Sequence, residues 1–135
     1  MNRVFVDTSA WFAYANRRDV DHRAVRDVIG AHSGALITSN SVFGETVTLC
    51  LGKLGHAVAA RVGEFLLQSD SLQLVRLTAQ DEQKAWQLFL DRPDKTYSYT
   101  DCTSFVLMRR LGLTQALALD RDFQREGFEL LCTPP

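Results

Sequence analysis

Acidic residues recur in this chain where an apolar strand ends or a helix begins. Arg3-Val4-Phe5-Val6 reads as a short strand that ends in Asp7, with Thr8 and Ser9 behind it. Asp101 opens a helix after Ser98-Tyr99-Thr100, and Asp120, with Asp122 close behind, follows the apolar run Ala116-Leu117-Ala118-Leu119. Glu45 sits inside an apolar helix pattern. Carboxylates at the carboxyl ends of strands in an open α/β sheet point into the crevice where such folds bind ligands. Gathered there they repel one another unless protons or cations intervene. The cation that suits them is hard and takes oxygen ligands, Mg²⁺ or Mn²⁺. The task that suits the cluster is phosphoryl chemistry.

Each acid also has an ordinary structural role. Asp7 and Asp101 can cap helices, and Asp120 and Asp122 can serve a turn and the first turn of a helix. Glu45 is harder to place. Val42, Phe43, Val47, Leu49 and Leu51 make its helix apolar nearly all round. A glutamate there is exposed on a narrow polar stripe or buried with a partner, and a shared cation would be such a partner.

The elements that must position these acids alternate. Strands are expected at 3–7, 35–38, 72–77, 115–119 and 128–131. Helices are expected at 8–15, 20–32, from 39–41 to about 53, 57–68, 79–91, 101–111 and 121–126, with a polar loop over 91–99. Ala85, Trp86, Leu88, Phe89 and Leu90 are expected on or near the inner face of the 79–91 helix. The alternation predicts right-handed βαβ units, a mainly parallel sheet and one α/β domain over 1–135.

Bulk properties narrow the class. The 135 residues are 46% hydrophobic and 23% charged, with net charge −1, as expected of a folded globular chain. A polyanion would have to meet a local basic patch. No apolar run reaches membrane-spanning length, and the early first strand predicts no signal peptide. Cys50, Cys102 and Cys132 form no C-x-x-C pair. That fits buried thiols in a reducing cytoplasm better than a disulfide framework or a zinc site.

The ordered set Val4-Phe5-Val6-Asp7-Thr8-Ser9-Ala10-Trp11, Glu45, Ser98-Tyr99-Thr100-Asp101-Cys102 with Phe105-Val106-Leu107-Met108, and Ala118-Leu119-Asp120-Arg121-Asp122-Phe123 resembles PIN domains. The likeness is nearest to small VapC-type toxins and related stand-alone PIN proteins, and it spans essentially the whole chain. It implies a five-stranded parallel sheet flanked by helices. It also implies a Mg²⁺- or Mn²⁺-dependent endoribonuclease site made of Asp7, Glu45, Asp101 and Asp120. Thr8, Ser9 and Asp122 are expected just behind those acids. The chain departs from many relatives in having Ala118 two residues before the last acid, where they carry a threonine.

Arg17, Arg18, Lys95, Tyr97, Tyr99 and Arg121 could form a rim that binds RNA through phosphate contacts and base stacking. Toxin-like relatives are held inactive by an antitoxin segment lying in a groove near the acids. The apolar helix around 41–54 and the helix 57–68 are expected to provide such a groove or a homodimer face. Two rivals compete. A haloacid-dehalogenase-like phosphatase would need an acid where Ser9 stands. A non-catalytic PIN-like module would grip RNA or protein without cleaving.

Overall fold

The computed structural model describes residues 2–132; the Pro134-Pro135 end of the expected domain lies outside them. Five strands form one sheet: β1 (Val4–Val6), β2 (Leu36–Ser39), β3 (Leu72–Val75), β4 (Gln115–Leu117) and β5 (Glu129–Leu130). Their order is β3-β2-β1-β4-β5, and every pairing is parallel. The helices are α1 (Thr8–Ala15), α2 (His22–Ala31), α3 (Asn40–Leu54), α4 (His56–Gln68), α5 (Ala79–Asp91), α6 (Tyr99–Leu111) and α7 (Asp122–Arg125). Helices α1 to α4 pack on one another, and α5 packs on α6. The strands step from β1 to β3 in one direction and from β4 to β5 in the other, so the right-handed crossover rule puts these two groups on opposite faces.

The central strands are buried on both faces, which is why they read as unbroken apolar runs. Phe5 stacks on Phe123, which meets Phe105 edge-on, and Phe105 stacks on Phe128. A second aromatic group, Trp11, Tyr14 and Phe65, joins α1 to α4. The helix ends follow local chemistry. Ser39 caps α3 by accepting the Val42 N–H at 3.0 Å. Gly112 ends α6 in the left-handed region, at φ 71°, where a side chain would be strained.

Two expectations are corrected. Helix α3 is not an uncovered apolar face, because Val42, Thr46 and Cys50 are buried and α4 lies against it. The chain fits these helices closely at Gly63, where a Cβ would meet Val47 at 3.5 Å and Phe43 at 3.7 Å. Leu51 on α3 and Leu67 on α4 stay exposed as single leucines, and α5 exposes Trp86 (53%), Phe89 (39%) and Leu90 (52%), which were expected on or near its inner face. Ala85 faces inward, and Trp86 and Phe89 stack on each other at 5.4 Å.

Candidate active site

The chain moves from β1 through β2 on one side of the sheet and from β4 to β5 on the other. The carboxyl ends of β1 and β4 therefore flank the point where open parallel sheets leave a crevice. Val6 is level with Leu117 in register, and the Asp7 N–H donates to the Leu117 carbonyl at 3.0 Å. Asp7 borders the crevice from β1. Asp120 borders it from beyond β4.

The backbone leading to Asp7 is held from behind by a buried relay. The Trp11 indole N–H donates to Thr38 Oγ1 at 3.2 Å, and Thr38 Oγ1 donates to the Val6 carbonyl at 3.0 Å. Asp7 caps α1, and its Oδ2 accepts from the Ser9 N–H at 3.3 Å and from Ser9 Oγ at 2.8 Å. Asp101 lies in the first turn of α6, which begins at Tyr99 rather than at Asp101 itself. Ser98 is the cap, and the two form a capping box. The Ser98 N–H donates to Asp101 Oδ2 at 2.9 Å. The Asp122 N–H donates to Asp120 Oδ1 at 3.0 Å.

A pattern emerges from these bonds. Each of the three aspartates ties one carboxylate oxygen to a backbone N–H. Among the described residues the other oxygen makes no hydrogen bond. For Asp7 that second oxygen, Oδ1, is buried without any partner, a costly state for a charged group unless a ligand completes it. Glu45 is half-buried midway along α3. Ser41, one turn earlier on the same face, lies with its Oγ 3.3 Å from Thr100 Oγ1. The stripe of α3 that carries Glu45 thus runs toward the start of α6.

The electrostatics are those of crowded anions. Burial, then the Asp101 charge, and more weakly the Asp120 charge, push Asp7 up to about 7, against the opposing hydrogen bonds from Ser9. Burial pushes Asp101 up to about 6, with Asp120 and Asp122 adding to it and Ser98 opposing. Asp120 is raised by burial and then by Asp122. Asp122 is itself paired with Arg125 at 2.8 Å.

Among the described residues, no group of three or more His, Cys, Asp or Glu side chains could hold a metal ion as arranged. A divalent cation nevertheless fits the donor set. It finds hard oxygens only, an orphaned buried oxygen on Asp7, and three carboxylates whose charged forms are disfavoured without a counter-charge. Among the described residues, three further buried hydroxyls lack partners, on Thr8, Thr46 and Ser104. Thr8 follows Asp7, Thr46 follows Glu45, and Ser104 is one turn past Asp101 on α6.

The expected rim is divided. Arg17, Arg18, Lys95, Tyr99 and Arg121 are exposed, with Lys95 paired to Asp94 and Arg121 bonded to Gln124. Tyr97 is a correction: its ring is buried edge-on against Phe105, and its hydroxyl donates to Glu126 at 3.0 Å. It has no open face for a base. Glu126, which no motif or spacing singled out, also takes Arg92 at 3.2 Å and Arg109 at 3.1 Å. It anchors the loop that delivers Asp101.

A cleft of about 960 Å³ lies away from the acids, between α1, α2 and α4, lined by Tyr14, Ala15, Arg17, His22, Arg26, Val58, Arg61 and Val62. An apolar slot of Trp11, Tyr14, Val62 and Phe65 adjoins it at Arg61. No carboxylate lines either. The cleft joins three helices, so no contiguous sequence signal marks it. Arg17 was expected in the RNA-binding rim, and its convergence here with Arg26 and Arg61 is tertiary.

Residues 4–129 match the PIN domain family. The chain is 36% identical over 125 residues to a Mycobacterium tuberculosis protein named 23S rRNA-specific endonuclease VapC20, covering 93% of this chain and 95% of that one. It is 28% identical over 125 residues to Ribonuclease VapC26 of Mycobacterium tuberculosis, covering 87% of each. The crystal structure of Mycobacterium tuberculosis VapC20, described as a sarcin-ricin loop cleaving toxin, superposes with a TM-score of 0.88 at 34% identity. It covers 93% of this chain and 95% of that one. A DNA-bound VapBC from Salmonella typhimurium superposes with a TM-score of 0.72 at 13% identity, covering 96% of this chain and 97% of that one, a likeness of fold alone.

Proposed function

The chain belongs to the PIN domain family, and from that premise we propose that it is a divalent-metal-dependent endoribonuclease and the toxin of a toxin–antitoxin pair, acting in the cytoplasm. The observation that carries the reading is the set of three aspartates at the switch point, each with one carboxylate oxygen bound to backbone and one left over. Asp7, Asp101 and Asp120, with Glu45, would hold Mg²⁺ or Mn²⁺. When bound, that ion supplies the Lewis acidity that hydrolysis of a phosphodiester needs.

The chain's own residues position the substrate. The N-termini of α1 and α6 open onto the acids, and their N–H groups favour anionic oxygens nearby. Arg18, Lys95 and Arg121 offer exposed cations for flanking phosphates. Tyr99, two residues before Asp101 and 40% exposed, offers a ring for an unpaired base. The name of the VapC20 relative makes a loop of 23S ribosomal RNA the first substrate to try. The arginine-lined cleft suits an acidic antitoxin segment, with the aromatic slot beside it for an apolar anchor.

The test is cleavage of single-stranded and 23S loop RNA by purified protein in Mn²⁺ or Mg²⁺. Activity lost in EDTA and in Asp101→Ala supports the enzyme. RNA binding without cleavage in either metal would make the chain a PIN-like binding module instead.

A further inference from the structure

One hydroxyl ties two of the acids together across the sheet. Ser9 Oγ donates its only proton to Asp7 Oδ2 at 2.8 Å and accepts the Leu119 N–H at 3.0 Å. Leu119 directly precedes Asp120, and its partner Ser9 lies 110 residues away in the chain. Ala118 and Leu119 carry no polar side-chain group of their own. Among the described residues, Ser9 is the side chain that holds the backbone of this turn.

The consequence for Asp7 is directional. A carboxylate turns easily about its terminal torsion. Ser9 loads Oδ2 with two donors, from its N–H and its hydroxyl, so Oδ1 is the oxygen left buried and unpartnered. We infer that Ser9 is a positioning residue of the acidic site: its hydroxyl fixes which Asp7 oxygen faces the crevice and sets the Asp120-bearing turn against β1. The inference rests on the metal-dependent reading of the site, and it assigns no direct contact between Ser9 and RNA. Groups that orient ligands from behind commonly change metal affinity or activity by about 10–100-fold when removed.

The experiment compares the parent protein, Ser9→Ala and Ser9→Thr by Mn²⁺ titration calorimetry, RNA cleavage and melting of the metal-free protein. All binding is measured well below the lowest melting temperature. Ser9→Ala is expected to bind Mn²⁺ about tenfold or more weakly and to cleave correspondingly slower. Ser9→Thr, which keeps the hydroxyl, is expected to restore both. Parent-like affinity and cleavage in Ser9→Ala would overturn the inference, and so would equal damage in both variants. A parent that binds Mn²⁺ but cleaves no RNA defeats the nuclease reading and leaves the calorimetry as the test of Ser9. If the parent binds no divalent ion, the crystal structure of Ser9→Ala decides. An unmoved Asp7 carboxylate and an unmoved 118–120 turn would refute the role, and a turned carboxylate would support it.

Discussion

At the scale of single residues, Asp7 lives where its neutral form is favoured. Burial and the charges of Asp101 and Asp120 lift it to about 7, and Asp101 stands at about 6. The folded chain therefore holds these protons more tightly than the unfolded chain does. That contribution to stability is fully present below about pH 4 and is lost as pH rises through about 6 and 7. Asp7→Asn is expected to stabilise the metal-free protein by about 2 kcal/mol at pH 8 and by almost nothing at pH 4, while abolishing RNA cleavage. Urea unfolding at the two pH values checks the first part; equal effects at both would reduce Asp7 to a helix cap. The same protons compete with metal. Mn²⁺ affinity should fall about tenfold per pH unit for each proton displaced as pH drops below 7. A flat calorimetric profile from pH 8 to pH 6 would remove Asp7 and Asp101 as ligands. The placement of Asp7, Asp101 and Asp120 was legible because strand ends and helix starts leave local marks. The second bond of Ser9, to Leu119, was not, since nothing in sequence relates residues so far apart.

At the scale of elements, alternating apolar runs and capping residues revealed the strand and helix order, because those signals are local. Their limits are local too. The Ser98-x-x-Asp101 pair is a capping box, so the helix starts at Tyr99 and Asp101 serves both the cap and the crevice. Periodicity marked α5 as partly apolar but could not say whether a neighbour covers each side chain. Ala85 is covered, whereas Trp86 and Phe89 are not. Besides the apolar packing of Ala85 and Leu88, a polar contact joins α5 to α6. Asp81, buried in the first turn of α5, accepts Arg110 Nε at 2.9 Å and Nη2 at 2.8 Å, and its Oδ2 also accepts the Thr78 N–H at 2.9 Å. Asp81→Ala removes the pair and half of a capping box, and it leaves a half-exposed arginine that water can solvate. A loss of about 2 kcal/mol is expected in denaturant melts. A variant as stable as the parent would show that apolar packing alone seats α6, and with it Asp101.

At the scale of the whole molecule, a chain of net charge −1 keeps its acids at one crevice and gathers three arginines in another. That segregation is a tertiary property and left no mark in the overall charge. Exposed apolar side chains occur singly on α3 (Leu51) and α4 (Leu67), whereas α5 exposes a stacked aromatic pair and a leucine. Trp86 and Leu90, one turn apart, lie on the exposed side of α5, and Phe89 lies between them and the buried Ala85. An exposed stacked pair of aromatics beside a leucine costs free energy in water, and burying each large side chain recovers about 1.5–3 kcal/mol. A second copy of the chain presents the same face, and a two-fold contact would cover both at once. Light scattering of the purified protein is expected to give the mass of two chains, and Trp86→Glu the mass of one. Trp86 is neither one of the acids nor a side chain bonded to them, so the variant should still bind Mn²⁺ as the parent does. A parent that scatters as one chain at micromolar concentration would show that α5 stays bare, and would leave its aromatics free for another partner.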